Sequence, residues 1–162
     1  MKKLLSVLLV AVLGLAASSA YANGVFAKND LLGSITLGFG NGFGQRVAID
    51  YGVADGWLDG KASLGVGASV NNTIGWNFNH DAISVVANCS FHYQFVDKLD
   101  TYVQIGTGMV SRLGYRGSYG LIGVDFTSSL GARWYFNDNF AVNAEFGWVA
   151  GSYIMAGVTY KF

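Results

Sequence analysis

Residues 130–162 read LGARWYFNDNFAVNAEFGWVAGSYIMAGVTYKF, and this stretch decides the fold class. Every second residue on both sides of a short Asn-Asp-Asn turn is apolar or aromatic, and the pattern returns in the final run. A period of two indicates β-strands with one apolar and one polar face. The polar face carries Arg133, Glu145 and Lys161, whereas the apolar face carries no charge. This arrangement predicts strands whose apolar face meets lipid and whose polar face lines an interior.

The same alternation extends upstream and predicts eight strands in all. Their expected ranges are 31–39, 45–54, 60–70, 82–95, 100–110, 122–136, 140–148 and 154–162. Most are near the ~9–11 residues that a tilted strand needs to cross a bilayer. Turns are expected at 40–44, 55–59 and 96–99, and polar loops at 71–81 and 111–121.

The two faces of these strands differ in charge. The outward positions hold no charged residue. The inward positions hold Arg46, Asp50, Lys61, Asp125, Arg133, Glu145 and Lys161, together with His92, Gln104 and Asn143, and the expected lumen-filling tyrosines are Tyr102, Tyr135 and Tyr153. A soluble barrel has the reverse arrangement, and hydrocarbon tolerates only a closed sheet with its charges inside. The sequence therefore predicts an all-β, eight-stranded, antiparallel up-and-down transmembrane β-barrel.

Composition agrees with an exported membrane barrel. The chain is 12% charged and 52% hydrophobic, contains no proline and has a formal net charge of zero, so it lacks the basic surface of a nucleic-acid-binding protein. Residues 1–22 combine Lys2 and Lys3, an apolar run and a small-residue ending at Ala22, which is the pattern of a cleaved signal peptide. Residues 23–162 are then the barrel domain, preceded by a short lead-in at 23–30.

The chain resembles the small eight-stranded bacterial outer-membrane barrels of the OmpA/OmpX type over residues 31–162. The most specific element is the ending Val158-Thr159-Tyr160-Lys161-Phe162. The resemblance implies a bacterial outer-membrane location with both termini in the periplasm. It also implies that Tyr160 and Phe162 form an assembly signal for the barrel assembly machinery, with periplasmic chaperones as further partners. A monomer in contact with outer-membrane lipids is expected.

Arg133 and Glu145 are the predicted lumen charge pair, because the turn at 137–139 places them diagonally across two neighbouring strands. The pair is interpreted either as a structural pair that fills the lumen or as a charge gate. The favoured function is a structural or surface-interaction barrel, and the alternatives are a narrow gated channel and a lipid-modifying enzyme. His80, Asp81 and Ser84 are the nearest approach to hydrolase groups, but neighbouring strand residues point to opposite faces. No enzymatic activity, cofactor or metal site is predicted, and His92 is expected to form hydrogen bonds in the lumen.

Overall fold

The computed structural model describes residues 25–75, 81–113, 121–149 and 151–162. The predicted signal peptide lies outside these ranges. The elements are β1 (Leu31–Gly40), β2 (Gly42–Gly56), the short helical turn α1 (Trp57–Gly60), β3 (Ala62–Gly75), β4 (Asp81–Val96), β5 (Leu99–Leu113), β6 (Leu121–Tyr135), β7 (Phe140–Val149) and β8 (Ser152–Lys161). Each strand pairs antiparallel with the next, and β8 pairs with β1 to close the barrel. The predicted fold class is confirmed.

Side-chain exposure alternates along the strands as the sequence predicts. In β7, for example, Val142 and Phe146 are exposed, whereas Asn143 and Glu145 are buried. Among the described residues, the exposed charged side chains lie in turns, in the lead-in or close to a strand end: Lys28, Asp55, Asp59, Lys61, Asp97, Lys98, Arg112 and Asp138. The middle of the outer surface is thus a charge-free apolar belt that suits lipid. No helix in the described ranges is long and apolar enough to cross a bilayer.

Several strands are longer than predicted at one end of the barrel. β3 runs to Gly75 and β5 to Leu113, and β2 begins at Gly42, so the predicted turn at 40–44 and loops at 71–81 and 111–121 are too long. The backbone ladder continues because polar side chains do not interrupt pairing; Asn71, for instance, lies opposite Ser84. We call this end, away from the chain termini, the loop end, and the opposite end the termini end. Lys61 is not in the lumen as predicted, since it lies in the exposed turn before β3.

Tyr153 was predicted to point inward, and the structure shows that this is wrong. The β1–β8 register shifts here, with Phe39 opposite Ile154 but Gly40 opposite Ser152. Tyr153 is therefore the extra residue of a β-bulge, which reverses the alternation locally. Its side chain is 46% exposed, while Ser152 is buried.

The residues predicted to be the assembly signal form an aromatic patch at the termini end. The Tyr160 ring packs edge-on against Phe140 at 5.3 Å and Phe162 at 5.0 Å between ring centroids. The Phe162 amide donates to the Leu31 carbonyl at 3.0 Å. The Phe162 ring also lies over Gly33, where a Cβ would come within 3.0 Å of it. The patch thus covers the β8–β1 seam that closes the barrel.

Candidate functional site in the barrel lumen

The middle of the lumen is crossed by an ion pair between opposite walls. Arg46 on β2 donates to Glu145 on β7, with 2.6 Å between Nη1 and Oε2. The second terminal nitrogen of Arg46 donates to the Gln104 side chain on β5. Tyr102, also on β5, donates its hydroxyl proton to Glu145 Oε1 at 2.8 Å. Since β2 is three strands from both β5 and β7 around the barrel, this group spans the interior.

A second ionic group lies on the termini side of the first. Arg133 Nη1 is 3.2 Å from Asp100 Oδ2, and its Nη2 is 3.7 Å from Asp50 Oδ2. His92 lies between the same carboxylates, with Nδ1 2.9 Å from Asp100 and Nε2 3.3 Å from Asp50. The His92 ring thus bridges the same two carboxylates that Arg133 contacts. Both buried carboxylates therefore have the Arg133 guanidinium as a cationic partner.

Tyr102 joins the two groups. Its ring centroid is 4.1 Å from the Arg133 Cζ, a cation–π contact, and 5.3 Å from the His92 ring. The side chain is 2% exposed. It fits because the residue opposite it on β6 is Gly131, where a Cβ would collide with the Tyr102 ring. We refer to the side chains of these two groups together as the lumen network: Arg46, Asp50, His92, Asp100, Tyr102, Gln104, Arg133 and Glu145.

The prediction that Arg133 and Glu145 pair directly is wrong, because each residue binds other partners. The register behind the prediction is correct, because Arg133 lies opposite Asn143. However, Tyr102 packs over Gly131 and separates the two charges, so Glu145 binds Arg46 and Arg133 binds Asp100 and Asp50. Both residues lie in the lumen as expected. Asp100 lies directly opposite Arg133 on the adjacent strand β5, whereas Asp50 and Arg46 reach across the lumen from β2.

A third ion pair lies at the termini end. Lys161 Nζ is 3.6 Å from Asp30 Oδ2, just before β1 begins. Burial raises the pKa of the Asp30 carboxyl above its usual value, and the positive charge of Lys161 offsets part of that rise. This pair extends the ionic contacts to the mouth of the barrel.

Ser90, His92 and Asp100 lie in the order of a catalytic triad. Ser90 Oγ is 2.9 Å from His92 Nε2, and His92 Nδ1 is 2.9 Å from Asp100. Ser90 Oγ is also 3.0 Å from both oxygens of Asp50, so its single proton is donated there. In a triad the serine hydroxyl donates to the histidine, whereas the Ser90 hydroxyl here donates to Asp50. Ser90 is also 1% exposed, so we assign these contacts to the structural ionic group.

The other residues considered for catalysis or metal binding have structural partners. Asp81 accepts from the Gly75 amide at 3.1 Å, and Ser84 accepts from Asn71 Nδ2 at 3.1 Å. His80 lies outside the described residues. Within the described ranges, no three His, Cys, Asp or Glu side chains are grouped so that they could hold a metal ion.

Two cavities lie on either side of the lumen network. The cavity at the termini end is about 300 Å³ and is lined by Phe26, Lys61, His92 and Asp100 among others. The cavity at the loop end is about 220 Å³, and its lining includes Ser84, Val110, Arg112 and Asp125. Tyr102 and the ion pairs separate these two spaces.

No family model matches the sequence, and no curated protein matches it. Solved structures do match the fold. A de novo designed transmembrane β-barrel is 19% identical with a TM-score of 0.59, and the match covers 83% of this chain and 97% of that chain. The N-terminal β-barrel domain of Pseudomonas aeruginosa OprF is 14% identical, with a TM-score of 0.56 and coverage of 83% and 98%.

Neisserial surface protein A is 16% identical to this chain, with a TM-score of 0.52 and coverage of 82% and 94%. These likenesses show the fold of the small eight-stranded outer-membrane barrels. The charge-free apolar belt around this fold indicates that the barrel spans a membrane.

Proposed function

We propose that this outer-membrane barrel has a structural or surface-interaction role and that its lumen does not conduct ions freely. The observation that supports this role is the lumen network, which joins side chains from opposite walls across the whole interior. An eight-stranded barrel is just wide enough for side chains to fill. Here Arg46, Tyr102 and Arg133 are each no more than 4% exposed. A hydrated ion would have to displace several buried charge-assisted hydrogen bonds to pass.

Single-channel recording in a planar bilayer tests the closed lumen. We expect no steady conductance from the purified protein after its folding is verified by heat-modifiable gel mobility. Large, stable channels from a folded sample would refute the proposal. An empty-detergent preparation and an unfolded sample of the same chain serve as controls for leakage that does not pass through the barrel.

A narrow gated channel is the second candidate, and the two cavities favour it. They lie on opposite sides of the same network, so a rearrangement of its ion pairs would join them. Glu145→Ala would release Arg46 and Tyr102 from their shared acceptor. Brief openings of uniform size in the wild type that become more frequent in this variant would favour the gated channel over the closed barrel.

We also propose that the barrel is not an enzyme. A serine-reactive fluorophosphonate probe should not label Ser90, because this residue is 1% exposed and its hydroxyl donates to Asp50. Labelling of the wild type that disappears in Ser90→Ala would contradict this. An acyl-transfer assay with outer-membrane lipids should likewise give the same background for both proteins.

We propose that the protein is a monomer with its termini in the periplasm and its apolar belt in outer-membrane lipid. Its proposed partners during insertion are periplasmic chaperones and the barrel assembly machinery. The aromatic patch of Tyr160 and Phe162 is consistent with a recognition role in that insertion. Protease digestion of intact cells checks the orientation, since a tag inserted directly after Ala22, the predicted end of the signal peptide, should be protected until the outer membrane is permeabilised.

A further inference from the structure

The lead-in, which the sequence predicts only as an irregular segment, folds back into the barrel. The Ala27 amide donates to Asp30 Oδ2 at 2.9 Å, and the Asp30 amide donates to the Ala27 carbonyl at 3.2 Å. Asn29 has a left-handed backbone with φ of 72°. These contacts form a tight turn just before β1. Phe26, on the far side of the turn, is thereby directed into the termini end of the lumen. We call residues 25–30 the N-terminal plug.

The inserted Phe26 packs directly on the lumen network. Its ring centroid is 4.1 Å from that of His92, and the side chain is 7% exposed. Its carbonyl accepts a hydrogen bond from Ser63 Oγ at 2.9 Å. Gly65 leaves space for the ring, since a Cβ there would come within 3.0 Å of it. Phe26 therefore occupies a fitted place on the termini side of His92.

Further contacts anchor the plug to β2. The Lys28 amide donates to Asp55 Oδ2 at 2.9 Å, and the Asn29 amide donates to the Gly52 carbonyl at 2.8 Å. Tyr51 donates its hydroxyl proton to Asn29 Oδ1 at 3.0 Å. At Gly52, a Cβ would collide with the plug backbone. The plug is thus held by backbone and side-chain contacts and is not merely a chain end lying over the opening.

We propose that the N-terminal plug is a second barrier in the lumen, in series with the lumen network, and that either barrier alone prevents steady ion flow. The inference rests on the proposed closed lumen and adds a named gate to it. Phe26 packs on the His92 ring from the termini side, next to the termini-end cavity, while the Arg46–Glu145 pair crosses the lumen beyond it. Opening the barrel would then require both the release of Phe26 and the loss of the central ion pair.

Thiol accessibility tests the plug without reference to conductance. The chain's single cysteine, Cys89, is exposed and is first replaced by serine. Ser63→Cys then places a buried thiol at the Phe26 carbonyl. A charged, water-soluble methanethiosulfonate reagent should modify it roughly tenfold faster when Phe26→Ala is added, because thiol exchange depends on access. As a control, Asp138→Cys places a thiol in an exposed turn at the same end of the barrel. This thiol should react at the same rate whether or not Phe26→Ala is present. Equal rates at position 63 in the two backgrounds would overturn the plug.

Conductance tests the arrangement in series. We expect no steady current from Phe26→Ala or from Arg46→Ala/Glu145→Ala, and a steady small current from the triple variant. The series model fails if the triple variant passes no more current than the double variant, or if Phe26→Ala alone conducts steadily. Steady wild-type current would instead refute the closed lumen. The thiol measurement leaves the network intact, so it decides the plug even if the alanine pair does not fold.

Discussion

Glu145→Leu should destabilise the barrel, because it leaves the positive charge of Arg46 buried without its carboxylate partner. Glu145 is 5% exposed and accepts from both Arg46 and Tyr102. The leucine removes the anion from a buried pair whose N–O distance is 2.6 Å. Arg46 then keeps Gln104 as a neutral partner, with no carboxylate to balance its charge.

The expected loss follows from two independent magnitudes. Opposite unit charges about 4 Å apart attract by about 4 kcal/mol at an effective dielectric constant of about 20. Removing one partner of a buried pair typically costs about 3–5 kcal/mol, because the remaining charge stays buried. Replacing both partners with apolar residues is often neutral or stabilising. Arg46→Leu/Glu145→Leu should therefore recover most of the stability that Glu145→Leu loses.

Equilibrium urea unfolding from lipid vesicles, followed by tryptophan fluorescence and heat-modifiable gel mobility, measures these free energies. The wild type, both single variants and the double variant form one double-mutant cycle. A large favourable coupling between the two sites is expected. If the two single losses simply add in the double variant, Arg46 and Glu145 are not coupled and the network as described is wrong.

Three further experiments test the lipid face, the lumen packing and the assembly signal. Ile105→Arg at the middle of the apolar belt should lower the free energy of unfolding by about 2–4 kcal/mol in the same vesicle assay. Phe136→Arg, in a turn at the membrane edge, should lower it by only about 0–1 kcal/mol. Equal losses at the two positions would contradict the belt. Gly131→Ala should cost about 1–3 kcal/mol by overpacking, while Gly123→Ala, whose Cβ would make an ordinary 3.5 Å contact, should be nearly neutral. Deletion of Phe162 should lower the amount of folded barrel in cell membranes far more than it lowers stability in vesicles, and parallel losses in both assays would exclude a recognition role.

The strands and their faces could be predicted because both follow from a local period of two. An unbroken alternation such as that of Val142, Asn143 and Glu145 needs no knowledge of the rest of the chain. The prediction failed where the period is interrupted. At Tyr153 a single extra residue reverses the alternation, and no residue type in the sequence marks the bulge. Strand ends were also underestimated, because pairing continues beyond the apolar belt into polar residues such as Asn71.

Most members of the lumen network could be predicted, but Asp100 was not among them and the pairing could not be predicted. A hairpin register shows which residues are neighbours within the sheet, and it placed Arg133 correctly opposite Asn143. Contacts across a closed barrel depend instead on which side chains are long enough to reach the far wall. The position of Tyr102 over Gly131 decides this, since it separates Arg133 from Glu145. Phe26 was missed for a related reason, because a single aromatic residue in an irregular segment gives no periodic signal.

Closure of the sheet and formation of the lumen network occur together. Arg46 and Glu145 are 99 residues apart in sequence and lie on strands that come together across the lumen only when β1 meets β8. Until then, each charge can remain in water, and no buried charge is left without its partner. The apolar belt drives insertion into lipid, and hydrocarbon already favours a closed sheet because an open edge would leave backbone groups unpaired. The network adds to this preference, because only the closed barrel satisfies the charges that face inward.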